Sequence, residues 1–254
     1  MVNYWKILDD VIRNSDVLLM VLDSRMHEQT RNSELEKKAG DKPLIYVLNK
    51  CDLISQKEGD RIKKDFHGDA VFVSTKKYYG IKMLKTMISK LSYKKQEGVT
   101  VGVVGYPNTG KSSIINALTA RSAAKTSSYA GYTKGKQLIR LNKKIFLLDT
   151  PGVIPFREKD DIKHGIISTL NPDEIRSPDL VAMKIIKAFV DKDISGLESF
   201  YRFKIPEEMI NDEYEIFLEV GKAMNYLSKG GRVDERRVAI RIIRDWQRGK
   251  LVIQ

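Results

Sequence analysis

The chain alternates short apolar runs with amphipathic or polar stretches for its first 150 or so residues, then changes character. Asp16-Val-Leu-Leu-Met-Val-Leu22 is continuously apolar after its first residue and ends at Asp23. Pro43-Leu-Ile-Tyr-Val-Leu48, Asp69-Ala-Val-Phe-Val73 and Val101-Gly-Val-Val104 repeat the pattern. Uninterrupted runs of this length predict strands covered on both faces, as in a parallel sheet. Between them, Asn32 to Ala39, Ser55 to Phe66 and Ile81 to Leu91 read as helices, the last with apolar positions 81, 84, 88 and 91. A further helix is predicted over Asn3 to Arg13, and another over Ser112 to Leu118. Gln137 to Leu141 and Lys144 to Leu148 predict a hairpin around Asn142-Lys143.

Alternating strands and helices imply a doubly wound, mostly parallel α/β sheet. From about Pro172 no strand-like run remains, and Leu180 to Val190, Leu197 to Tyr201, Glu213 to Leu227 and Glu235 to Trp246 read as helices. The expected organisation is an α/β domain over residues 1–170 and a small all-α domain over 171–254.

Composition narrows the class. The 254 residues carry a net charge of +12, which suits a polyanionic partner or a lysine-rich surface. No run approaches the length of a membrane span, so no membrane partner is expected. Met1-Val-Asn-Tyr-Trp5-Lys lacks a signal-peptide pattern, and the single cysteine, Cys51, points to a reducing compartment. A cytoplasmic location and a monomeric state are the expectations.

The candidate chemistry sits in the loops after the strands. Gly105-Tyr-Pro-Asn-Thr-Gly110-Lys111-Ser112 fits G-x-x-x-x-G-K-[ST] between a strand and a helix, the context a phosphate-binding P-loop requires. Its amides and the helix N-terminus favour an anion; Lys111 would reach the β- and γ-phosphates, and the Ser112 hydroxyl suits Mg2+. Asn108, Thr109, Gly110 and Ser113 complete the loop. Asn49-Lys50-x-Asp52 follows a strand. A carboxylate there accepts from the N1–H and amine of guanine, whereas adenine offers a lone pair at that edge; a polar turn is the alternative. Ser74-Thr75-Lys76 could present an amide to the guanine O6, or be ordinary loop chemistry. Asp149-x-x-Gly152 would hold Mg2+ through water and offer the Gly152 amide to the γ-phosphate. Thr133, within a small, polar stretch 120–135 expected to be mobile, could close over Mg2+ and γ-phosphate.

Together these motifs resemble the translation-factor-related GTPases, with Asn49-Lys50-x-Asp52 and Ser74-Thr75-Lys76 placed before the P-loop instead of after it. That order resembles the circularly permuted GTPases, and more closely the YlqF/RbgA-like ribosome-assembly branch. Asp23-Ser-Arg25 looks like that group's DAR segment, Ala130-Gly-Tyr-Thr133-Lys134 like its PGTTK switch, and Gly230-Gly231-Arg-Val-Asp234 with Gly249-Lys250-Leu251 like its C-terminal end. The resemblance implies GTP and GDP as ligands, slow hydrolysis with Mg2+, and a ribosomal RNA or large-subunit precursor as partner. Catalytic roles would fall to Lys111, Thr133 and Gly152. Val153 and Ile154 stand where many GTPases carry a water-orienting Gln, as the family implies. Asn108 matches the asparagine that helps hold K+ in potassium-activated members, or is a plain polar loop residue. The family's PGTT proline is Ala130 and its first threonine is Tyr132. Some members carry a catalytic histidine in an N-terminal segment, a role that cannot be carried over because no histidine precedes His27; His164 is the nearer candidate past the switch, or a surface histidine.

The last predicted helix divides into Val238, Ala239, Ile242, Ile243 and Trp246 on one side and Arg237, Arg241, Arg244 and Arg248 on the other. The apolar side should dock on the helical domain. The arginines could neutralise RNA phosphates, or form a solvated cationic face. Two functions remain open at this point: a partner-activated GTP hydrolase, and a nucleotide-gated binding module with negligible turnover.

Overall fold

The computed structural model describes residues 4–66, 70–92, 98–119, 137–149, 161–168, 170–192 and 194–253. It divides into two units, 1–52 with 56–158 and 53–55 with 159–254.

The first unit is built on a six-stranded sheet among the described residues, in the order β3-β2-β1-β4-β6-β5. The strands are β1 (Val17–Asp23), β2 (Leu44–Asn49), β3 (Ala70–Val73), β4 (Val99–Val104), β5 (Gln137–Arg140) and β6 (Ile145–Asp149). All neighbours pair in parallel except β5 and β6. β1 is buried at all seven positions, which is why it carries no alternation of polar residues. The helices of this unit are α1 (Tyr4–Asn14), α2 (His27–Thr30), α3 (Ser33–Ala39), α4 (Gln56–Lys63), α5 (Ile81–Ser92) and α6 (Lys111–Thr119). Ile81, Leu84 and Ile88 of α5 and Ile114, Ile115 and Leu118 of α6 share one core cluster with the inner faces of the strands.

Local signals set the element ends. The Asn32 side chain accepts from the Leu35 amide 2.9 Å away and starts α3. The Asn142 carboxamide accepts from the amides of Lys144 and Ile145 at 2.8 and 2.9 Å and closes the β5–β6 turn.

The second unit is helical: α7 (Asp161–Ile166), α8 (Pro178–Lys192), α9 (Ile194–Tyr201), α10 (Glu213–Ala223) and α11 (Glu235–Gln247). α11 starts at Asp234, whose side chain accepts from the Arg237 amide. Val238, Ala239, Ile242, Ile243 and Trp246 are fully buried, so the apolar stripe docks as expected, with α8 as its main neighbour. The Trp246 ring meets Phe189 of α8 edge-on at 6.2 Å and donates from Nε1 to the Ile166 carbonyl at 2.9 Å.

Two elements were not expected. α2 spans four residues and α7 six, too short for periodicity to register. α10 also stops at Ala223, short of Leu227: Asn225 takes a positive φ of 54°, and Leu227 pairs with Val233. His164 of α7 is buried, because α7 packs against α8; it is not a surface histidine.

Candidate nucleotide-binding site

Parallel register brings the motif loops to one edge of the sheet. Asp23 lies opposite Asn49, and Asn49 opposite Val73, so the loops after β1, β2 and β3 leave at one level. Asp149 pairs with Val103, two residues before the P-loop. Ligands collect at this carboxyl edge in doubly wound sheets.

One hydrogen bond joins the two main motifs. Asn49 Nδ2 donates to the Thr109 carbonyl at 2.8 Å, across 60 positions of sequence, with both residues buried. Gly110 makes the approach fit: its φ is +99°, and a Cβ there would lie 2.1 Å from Asn49 Nδ2. Asn49 Oδ1 is buried and accepts nothing from the described residues, the kind of orphaned group a ligand or water satisfies.

The P-loop geometry is equally explicit. The first helical bond of α6 runs from the Ile114 amide to the Gly110 carbonyl at 2.9 Å. The amides of Lys111, Ser112 and Ser113 therefore precede the ladder and are available to an anion. Buried Lys111 donates from Nζ to the carbonyls of Gly105 and Tyr106 at 2.8 and 2.7 Å and forms no ion pair among the described residues. Burial pushes its pKa down to about 8, with Asp149 partly opposing. A buried ammonium hydrogen-bonded to two carbonyls, beside amides that precede the helical ladder, fits a phosphate chain. Asn108 has a positive φ of 59° at the crest of the loop. Ser112 is exposed and Asp149 half-buried. No group of three or more His, Cys, Asp or Glu that could hold a metal exists among the described residues. Mg2+ needs no such cage, since it takes one or two protein oxygens plus phosphate oxygens and water.

In the Asn49–Asp52 loop, Lys50 sits at a positive φ of 61°. Its Nζ donates to Asp23 Oδ2 at 2.7 Å, while Arg25 donates from Nε and Nη2 to the same carboxylate at 3.0 and 2.8 Å. Burial pushes the Asp23 carboxyl up, but Arg25 and Lys50 together hold it well below the usual range. Burial lowers the Lys50 pKa, with Asp23 opposing. Ser24 donates from Oγ to the Asn49 carbonyl at 2.7 Å. Asp23-Ser-Arg25 thus braces the Asn49–Asp52 loop from below, a role that its sequence alone does not reveal. Asp52, half-buried, lies in a one-turn helix over Cys51–Leu53 and accepts no hydrogen bond from the described residues. Ser74 is buried and exchanges backbone bonds with Tyr79, while Thr75 and Lys76 follow at the surface of the same turn. Thr133 and Gly152, with the stretch 120–135, lie outside the described residues.

In the helical unit, the arginine face is more structured than a solvated stripe. Arg241 donates to buried Asp245, and Arg244 to Asp173. The Arg237 guanidinium lies over the Tyr226 ring, 4.1 Å from its centroid. These residues with Arg236 and exposed Arg248 line a groove of about 470 Å3.

Residues 100–211 match the family model described as 50S ribosome-binding GTPase. An uncharacterized GTP-binding protein of Methanocaldococcus jannaschii is 45% identical over 251 residues, covering 97% of this chain and 65% of its own. Nuclear/nucleolar GTPase 2 of Arabidopsis thaliana is 33% identical over 260 residues, covering 97% of this chain and 43% of its own. The chain therefore spans about two thirds of the archaeal relative and under half of the plant one. Among solved structures, GDP-bound YlqF superimposes with a TM-score of 0.66 at 21% identity, over 96% of this chain and 95% of that one. GNP-bound YlqF from T. maritima gives 0.64 at 20% identity, over 98% and 95%. With its Asn49-Lys50-x-Asp52 motif ahead of its P-loop, the chain has the fold of the YlqF structures and is similar in sequence to these archaeal and plant GTP-binding proteins.

Among the described residues, no helix is long and apolar enough to cross a membrane.

Proposed function

We propose that this protein binds GTP and GDP and hydrolyses GTP to GDP and phosphate on a precursor of the large ribosomal subunit. The observation that supports the reading is the Asn49–Thr109 hydrogen bond, which joins the Asn49–Asp52 loop to the Gly105–Ser112 loop despite their inverted order. Asp52 would accept from the guanine N1–H and amine, and the turn at Ser74-Thr75-Lys76 would offer an amide to O6. Lys111 would hold the β- and γ-phosphates and stabilise the charge that develops as water attacks in line. Ser112 and Asp149 would hold Mg2+, which neutralises charge on the phosphates; Thr133 and Gly152 are proposed to close on the γ-phosphate. Asn108 is proposed to help hold K+.

Val153 and Ile154, in place of a water-orienting Gln, support slow turnover until a partner or ion completes the site. The description of the matched family model supports a large-subunit partner. In the helical unit, 171–254 in our domain assignment, Arg237 and Arg248 are proposed as principal RNA contacts. Arg241 and Arg244 would contribute less, being already paired with carboxylates.

The test is phosphate release with and without large ribosomal subunits, in K+ and in Na+. Stimulation by subunits supports the hydrolase. Nucleotide-dependent subunit binding with turnover unchanged favours a nucleotide-gated binding module, the reading that the absent Gln keeps open.

A further inference from the structure

We propose that the turn Lys76-Lys77-Tyr78-Tyr79, with the first turn of α5, is a stacking platform for single-stranded RNA on the GTPase unit. It rests on the reading of the partner as RNA, but uses a surface separate from the arginine helix.

Three large hydrophobic residues are exposed here within six positions. Tyr78, Tyr79 and Met83 are 65%, 62% and 61% exposed, the three highest values for large hydrophobics among the described residues. Such clustering marks a contact surface when a built scaffold presents it. The scaffold is built. Ser74 and Tyr79 exchange two backbone hydrogen bonds, at 3.1 and 3.0 Å, and the Lys77 amide donates to Ser74 Oγ at 3.0 Å. Gly80, at φ +73°, packs so tightly that a Cβ would meet the Phe72 carbonyl oxygen at 2.0 Å. Tyr78 itself takes a left-handed φ of 54°, a conformation that Asn or Gly adopts at lower cost. A strained, rigidly held, exposed aromatic has no packing reason to be there, and points to a ligand.

The surrounding charge selects the ligand. Residues 74–92 contain five lysines and no Asp or Glu. Lys76, Lys77 and Lys82 are all exposed beside the tyrosines. Aromatic faces interleaved with cations suit unpaired bases and their phosphates, without need of a particular sequence. Nucleotide binding at this turn requires only Ser74 to Lys76, so the two tyrosines are left for another partner.

The test uses the full chain and fluorescein-labelled twelve-nucleotide oligo(U) and oligo(A), read by anisotropy at fixed salt. Tyr78→Asn with Tyr79→Ser keeps a residue that tolerates the left-handed turn while removing both rings. It should weaken RNA binding about tenfold or more, while Tyr78→Phe with Tyr79→Phe retains it. Affinity for a fluorescent GDP analogue reports the integrity of both variants. The unaltered protein should also photocrosslink to 4-thiouridine RNA within residues 76–83. Unchanged affinity in the Asn/Ser variant, with no crosslink there, overturns the platform. So does loss of ribosomal-particle binding with RNA affinity intact, which would assign the patch to a ribosomal protein. Arg237→Glu with Arg248→Glu separates the two levels. If that variant alone loses RNA, only the platform falls; if neither variant does, the reading of the partner as RNA falls as well.

Discussion

Removing the Asn49 carboxamide strikes the joint between the two loops. In Asn49→Ala, the Thr109 carbonyl loses the donor at 2.8 Å in a place where both residues are 1% exposed. A buried acceptor left without its partner costs about 1–3 kcal/mol. Since every 1.4 kcal/mol is tenfold, the loss corresponds to roughly 5- to 150-fold in an equilibrium constant. The expected outcome is a lower urea midpoint with an unchanged m-value, together with GDP affinity weakened within that range. Gly110→Ala reaches the same joint from the other side, since its Cβ would fall 2.1 Å from Asn49 Nδ2. With Asn49 already cut back to Ala, that clash disappears and only the backbone strain at φ +99° remains. The double variant should therefore be less destabilised than the sum of the singles, by about 0.5–3 kcal/mol. Strict additivity, or an Asn49→Ala variant within a few tenths of a kcal/mol of the original in both assays, would refute the reasoning.

Three further outcomes are expected. Lys111, with its pKa depressed from 10.5 to about 8, is charged below pH 8 and must take up a proton to hold phosphate above it. GDP affinity should then be level up to about pH 7.5 and fall by up to tenfold per unit above pH 8, and Lys111→Met should abolish that slope. Ligand-free stability should move the other way, rising between pH 8 and 10.5, where the unfolded chain binds the extra proton. Trp246→Ala empties a fully buried site and strips the Ile166 carbonyl of its donor; a cost of about 3–5 kcal/mol in urea unfolding is expected, and less than about 1 would contradict the packing. Arg237→Glu with Arg248→Glu should weaken RNA binding at least tenfold and flatten its salt dependence, whereas Arg241→Glu should destabilise the helical unit by setting a second carboxylate beside buried Asp245 in place of its guanidinium.

Much of the sheet was legible because its strands are buried on both faces and write themselves as unbroken apolar runs, as Val17 to Leu22 do. The P-loop was legible for a different reason: its glycines and lysine are demanded by backbone geometry at fixed spacing. What the sequence concealed were partnerships over long separations. Arg244 and Asp173 are 71 residues apart, and nothing near either announces the pair. The brace from Asp23 to Lys50 is hidden likewise, since a buried aspartate at a strand end looks like any turn residue until its neighbours are placed. Helix α7 escaped because six residues hold fewer than two turns of pattern, and His164 was misjudged with it. The two exposed tyrosines were unremarkable as letters; their meaning lies in the turn that holds them out.

Nucleotide selectivity tests most directly whether the permuted loops converge on one guanine nucleotide. Equilibrium affinities for GDP, ADP and xanthosine diphosphate should be measured on the unaltered protein and on Asp52→Asn. An Asp52 carboxylate that accepts from guanine predicts GDP bound at least a hundredfold more tightly than ADP, because adenine would leave a polar group unpaired. Asp52→Asn, which offers a donor to the xanthine carbonyl, should reverse the preference toward xanthosine diphosphate. Equal binding of GDP and ADP, or an Asp52→Asn variant that still prefers GDP, would contradict the account.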